Sequence, residues 1–242
     1  MIFLGERMRR ETPTAEEIRE RPAYSIGEAA RYLRMNDMTL TTWALGRRYE
    51  TTDGTKQWQP LFKIADRRGR RMSFTNLIEG NVLSALRRQH GITVPKIRAA
   101  LDYVREQLNV ARPLAHEQFQ TNGVDLFIER FGELVNASKQ GQVAMREMMQ
   151  AALRRIERDA PSGVPIRLYA AAPDEPNRSR FVAFDPMIAF GRPALIGSGV
   201  PIAAIAERFR AGDSIDALAE DYAVERQAIE EAVRQSELLR TA

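Results

Sequence analysis

The chain contains no cysteine, so disulfides and thiolate metal ligands are excluded outright. This usage fits a reducing compartment. Histidine is nearly as scarce: only His90 and His116 are present. They stand too far apart, and without a cysteine partner, to match a zinc-ligand spacing. No run approaches the ~18 apolar residues of a membrane span, and the opening Met1-Ile-Phe-Leu-Gly-Glu-Arg is too short for a signal peptide. No G-x-S-x-G, phosphate-binding glycine loop or acidic metal motif occurs. These absences remove the common enzyme classes and imply no cofactor. They leave the expectation of a soluble, cytoplasmic binding protein.

What is present is charge, unevenly spread. The 242 residues carry 36 Lys+Arg against 32 Asp+Glu, a net of +4. Residues 1–110 hold 20 basic and 13 acidic side chains; residues 111–242 hold 16 and 19. Within 41–71 the ratio is 8 to 3, and within 197–242 it is 5 to 9. One end is suited to a polyanion and the other is not.

Two stretches show helix-turn-helix patterning. Ser25-Ile-Gly-Glu28 is a capping box opening a helix with Ile26, Ala29, Ala30 and Leu33 on one face. After a turn at Arg34-Met35, Asn36 or Asp37 caps a second helix that buries Leu40, Trp43 and Ala44. Trp58–Ile64 and Arg71–Phe74 read as strands around the turn Asp66–Arg70, where Gly69 supplies the positive φ, so a basic hairpin follows the helices as a wing. Thr75 opens a long helix that stops at His90-Gly91, and Thr93-Val-Pro95 starts another, with Ile97, Leu101, Val104 and Leu108 as its stripe. Near the other end, Ile202, Ile205, Ala206 and Phe209 repeat at helical spacing. Gly212 ends that helix, Asp213 or Ser214 caps the next, and a third begins near Val224.

Between these units, Val124–Glu129 and Glu133–Asn136 read as a short hairpin around Phe131-Gly132, and Gln142 to Arg158 as a helix. Ile166–Tyr169 and Phe181–Phe184 are β-like. The resulting fold class is mainly α (α+β). Its division is an N-terminal arm at 1–23, a winged helix-turn-helix at 24–110 and an α+β middle region at 111–170. A linker at 171–180 and a trihelical domain at 181–242 complete it.

A helix-turn-helix places its second helix in a DNA major groove. The candidates there are Thr39, Thr41 and Thr42, with Arg47 and Arg48 directly after them for phosphates. Lys63, Arg67, Arg68, Arg70 and Arg71 on the wing suit a phosphate track or a narrow minor groove. The C-terminal unit has the helices but the opposite charge, and phosphate would repel it. Glu207, Asp216, Glu220, Asp221 and Glu225 there point to a basic protein partner, with Arg226 and Gln227 as the residues that could still read bases.

Residues 24–108 resemble the MerR-type winged helix-turn-helix, on Tyr24-Ser-Ile-Gly-Glu-Ala-Ala-Arg-Tyr-Leu33, Thr39-Leu-Thr-Thr-Trp43, the wing and the helices around Leu77–Leu108. The family's turn glycine is Arg34 here, and its usual arginine pair is Thr41-Thr42. Residues 181–233 resemble a small domain recurring in VapB-like antitoxins. The shared residues are Asp185-Pro186, Gly191-Arg-Pro193, Gly197-Ser-Gly-Val-Pro201, Ala211-Gly-Asp-Ser-Ile215 and Asp221-Tyr222. The resemblances imply a DNA-binding homodimer that neutralises a PIN-like ribonuclease toxin encoded beside it and represses the shared operon. The alternatives are a stand-alone MerR-like regulator and an interaction adaptor that does not bind DNA.

Overall fold

The computed structural model describes residues 13–52, 54–88, 93–170 and 180–240. Helix α1 (Ala15–Glu20) is closed by a Thr14–Glu17 capping box and lies against the later helix α4, so this part of the expected arm is ordered. β1 (Tyr24–Ser25) leads into α2 (Ile26–Tyr32), where Ser25 and Glu28 form the anticipated reciprocal cap. α3 (Asp37–Leu45) begins at Asn36, whose side chain accepts the N–H groups of Met38 and Thr39.

The hairpin after α3 is β2 (Arg47–Thr51) paired with β3 (Gly54–Trp58), earlier in the chain than the sequence pattern suggested. The expected strands at 58–64 and 71–74 do not pair. Residues 59–64 are a loop tied to α3 by the Leu61 N–H to Trp43 carbonyl bond, and β4 (Arg71–Met72) pairs with β1. The predicted turn at 66–70 does form, closed by mutual backbone bonds between Asp66 and Arg71. Arg70, not Gly69, takes the positive φ, of 52°. Gly69 answers a different need: a Cβ there would lie 2.3 Å from Asp66 Oδ2, whose partner oxygen accepts the Gly69 N–H.

α4 (Phe74–Ser84) is buried along most of its length, and α5 (Val94–Leu108) starts at the expected proline. The His90-Gly91 stop lies outside the described residues. The middle hairpin is overturned. Residues 124–135 are one helix, α6 (Val124–Val135), burying Val124, Phe127, Ile128 and Phe131. Those positions are spaced i, i+3, i+4 and i+7, and the Phe127 and Phe131 rings stack at 5.5 Å. Gly132 is no breaker: the Gln142 side chain occupies the space that a Cβ would need. α7 (Lys139–Arg154) is shorter at its end than expected, because 156–158 forms strand β5 (Ile156–Arg158).

β5, β6 (Pro165–Tyr169), β7 (Val182–Phe184) and β8 (Pro193–Leu195) make one antiparallel sheet in that order. Most of the expected linker, 171–179, lies outside the described residues, but the strands on either side of it pair with each other. α8 (Ile202–Arg210), α9 (Ile215–Asp221) and α10 (Arg226–Arg240) then form the expected trihelical unit. Its core is continuous with the rest of the molecule. Among the described residues, no helix is long and apolar enough to cross a membrane.

Candidate nucleic-acid interface

α2 braces α3 across a turn in which Arg34 holds φ of 52°, the left-handed conformation that usually selects glycine. The arginine there has its own use. Its Nη2 donates to Gln235 Oε1 on α10 at 2.9 Å, so the turn is fastened to the C-terminal unit. α3 buries Leu40, Trp43 and Ala44 and leaves Thr39, Thr41 and Thr42 partly exposed on its outer side. Thr42 Oγ1 donates back to the Met38 carbonyl at 2.9 Å, so this hydroxyl is already committed within the helix. Met38, in the first turn of the same helix, is 67% exposed.

The wing residues divide into two groups. Arg47 and Arg48 are exposed neighbours on β2, opposite Trp58 and Gln57, and strand alternation sends them to opposite faces. The hairpin is pinned to the end of α3, where Gly46 takes φ of 79° and a Cβ would run into the Trp58 carbonyl. Tyr49 packs on Trp58 with ring centroids 5.0 Å apart. Lys63 and the 66–71 turn form a second basic projection. Arg67 donates to the Leu45 carbonyl at 2.9 Å, a cation closing the C-terminal end of α3, and Arg71 donates to the Ala23 carbonyl at 2.8 Å. Both are exposed, but both also hold backbone. Among the described residues, the side chains of Arg47, Arg48, Lys63, Arg68 and Arg70 make no ion pair. Two separate elements, β2 and the 66–71 turn, thus meet the C-terminal end of α3 and carry these cations.

At the other end, the five acidic candidates are exposed but differ in engagement. Arg208 bonds Asp213 and Asp221, each at 2.6 Å, and lies over the Tyr222 ring. Arg226 pairs with Asp216 and with Glu230. Asp216 and Asp221 thus stitch α8, α9 and α10 together, and Arg226 is held among carboxylates. Glu207, Glu220 and Glu225 stand outside these ion pairs.

The trihelical unit packs on the helix-turn-helix. The hydroxyl of Tyr24, the buried first residue of β1, donates to the Gly191 carbonyl at 2.8 Å, and burial pushes its pKa well above the usual phenol range. The Tyr32 ring lies 4.9 Å from that of Phe184 on β7. Behind the sheet, Arg155 is partly buried, donating to the Tyr169 carbonyl and to Asn81 Oδ1, each at 2.9 Å. Burial, with Arg34 nearby, brings its pKa down to about 10, so it remains a cation. Neither contact had a sequence signal, because both join residues far apart in the chain.

Two protein families match the two ends of the chain. Residues 22–101 match one described as "Putative DNA-binding HTH domain", and residues 182–234 match "Protein of unknown function (DUF433)". The chain is 30% identical over 222 residues to "Putative antitoxin VapB45" of Mycobacterium tuberculosis, covering 84% of this chain and 89% of the relative. The crystal structure of Rv2018 from Mycobacterium tuberculosis superposes with a TM-score of 0.64 at 25% identity, over 88% of this chain and 98% of that one. The overall fold is therefore shared with that structure across most of the length, and the chain belongs to the VapB45-like antitoxin family.

Proposed function

We propose that this protein is the DNA-binding antitoxin of a toxin–antitoxin pair, acting as a homodimer that represses its own operon and neutralises a PIN-like ribonuclease. It works by binding and carries out no catalysis. The observation that carries the DNA half is a set of exposed cations that make no ion pair among the described residues, on two elements that meet the C-terminal end of α3: Arg47 and Arg48 from β2, Arg68 and Arg70 from the following turn. Phosphate contacts from these two projections would set the register, with Thr39, Thr41 and Met38 facing base edges. Met38 could meet a thymine methyl, and the threonines discriminate weakly, so most of the affinity would come from phosphate. The MerR-like arrangement of helix, turn, helix and wing supports this docking. The toxin half rests on the relative's name and on the exposed carboxylates of Glu207, Glu220 and Glu225, which suit a basic partner surface.

The test is co-expression of the tagged protein with the adjacent small reading frame. The purified material is then titrated against its own promoter DNA at several salt concentrations. A stoichiometric ribonuclease partner together with salt-sensitive promoter binding is the expected result. Promoter binding by a chain that recruits no partner would sink the antitoxin reading. A partner without promoter binding would sink the DNA reading.

A further inference from the structure

A cavity of about 1040 Å³ opens between the 60–67 loop, α4, α5 and the 111–114 segment, with Ala44 of α3 in its wall. Its buried surface is apolar, formed by Leu61, Phe62, Leu101 and Leu114. Around it converge Lys63, Arg67, Arg105 and Arg112, against two carboxylates, Glu20 and Glu79; four cations less two anions leave an excess of +2. We propose that this cavity is a binding site for a small amphipathic anion: a carboxylate, sulfonate or phosphate headgroup on an apolar body. The volume lies at the upper end of the range for small-molecule pockets, and an apolar wall with few convergent polar groups is their usual construction. A nucleic-acid phosphate would satisfy the cations but has no use for the apolar wall.

Arg112 is the headgroup's natural partner. Its Nη1 lies 2.6 Å from Glu20, its Nη2 lies 3.5 Å from Glu79 and donates to the Lys63 carbonyl at 3.0 Å, and its side chain is still partly exposed. Glu79 is a weak competitor for it. The carboxyl is buried and accepts from Asn76 Nδ2 at 2.9 Å, and desolvation outweighs Arg112 and holds its pKa up to about 7. Near neutral pH the acid is therefore only partly ionised, and the positive excess facing a ligand grows. Lys63 is exposed and Arg105 partly exposed at the rim; Arg105 is paired with Asp102, outside the cavity wall.

The probe is 1-anilinonaphthalene-8-sulfonate, whose sulfonate and aromatic body match the proposed chemistry and whose fluorescence rises in apolar surroundings. The expected result is one saturable site per chain, displaced by octanoate but not by inorganic phosphate. The double variant Lys63→Ala/Arg105→Ala should bind about tenfold more weakly, the effect of losing charge-assisted contacts. Ala111→Trp, at the exposed mouth, should block binding while circular dichroism stays unchanged. Phe190→Ser removes a ring that is 93% exposed elsewhere on the surface and should leave binding intact. Unsaturable fluorescence, displacement by phosphate alone, equal affinity in the Lys63/Arg105 variant, or loss of binding in Phe190→Ser would each overturn the proposal. If Ala111→Trp does not fold, the Lys63/Arg105 variant decides.

Discussion

Single side chains carry two measurable consequences of burial. Glu79 is raised to about 7 in the folded protein, from 4.5 when unfolded, by desolvation that Arg112, Arg105 and Asn76 only partly offset and to which Glu20 adds. Below pH 4.5 the carboxyl is protonated in both states. Between 4.5 and about 7 only the unfolded chain gives up its proton, so stability falls as pH rises, and above 7 the difference is constant. At ~1.4 kcal/mol per unit this amounts to about 3 kcal/mol. Urea midpoints from pH 4.5 to 8 should show a fall in the wild type that Glu79→Gln lacks; parallel curves would contradict it. Tyr24 and Gly191 form the second case. Tyr24→Phe leaves a buried carbonyl without its donor, at a cost of about 1–2 kcal/mol. Gly191→Ala forces a φ of 78° on alanine and sets a Cβ 2.3 Å from the phenolic oxygen, a larger loss. Because the clash is with the atom that Tyr24→Phe deletes, the double variant should be less destabilised than the sum, and additivity would refute the shared contact.

Among the elements, the wing shows how a correct motif can be given the wrong residues. Arg67, Arg68, Arg70 and Arg71 invited a hairpin about Gly69, yet the true hairpin is β2–β3, and the later turn closes on the single pair Asp66 and Arg71. The two projections can be separated by experiment. Arg47→Ala/Arg48→Ala should weaken promoter binding and lower its salt slope by about 0.9 for each phosphate that is no longer neutralised. Arg68→Ala/Arg70→Ala should do the same independently, whereas Arg67→Ala should also loosen the end of α3 by releasing the Leu45 carbonyl. An unchanged slope in either pair would remove that projection from the interface. α6 illustrates the opposite failure. Its helical spacing was legible in Val124, Phe127, Ile128 and Phe131, but Phe131-Gly132 resembled a turn. Gln142, ten residues beyond Gly132, takes the space beside it and lets glycine stay inside the helix.

At the scale of the whole molecule, the two charged ends are not independent. Tyr24 to Gly191, Tyr32 to Phe184 and Arg34 to Gln235 join the helix-turn-helix to the trihelical unit, and the strands on either side of the segment that looked like a linker pair with each other. With one continuous core, urea unfolding should be a single transition, with the fluorescence of Trp43 and Trp58 and helical circular dichroism coinciding. Two separated transitions would show that the ends unfold apart. Sequence alone determined the local features. The capping boxes, the amphipathic stripes of α2, α3, α5 and α8, and the charge contrast between the ends each depend on residues a few positions apart or on simple sums. Tertiary structure decided which cations stand beside α3, why Arg34 replaces a turn glycine, which acids are spent on internal ion pairs, and where Glu79 and Arg112 line a cavity. Apart from the acid pairs, which are set by how α8, α9 and α10 turn against one another, those outcomes depend on partners tens to hundreds of residues away, brought together by burial that no local pattern records.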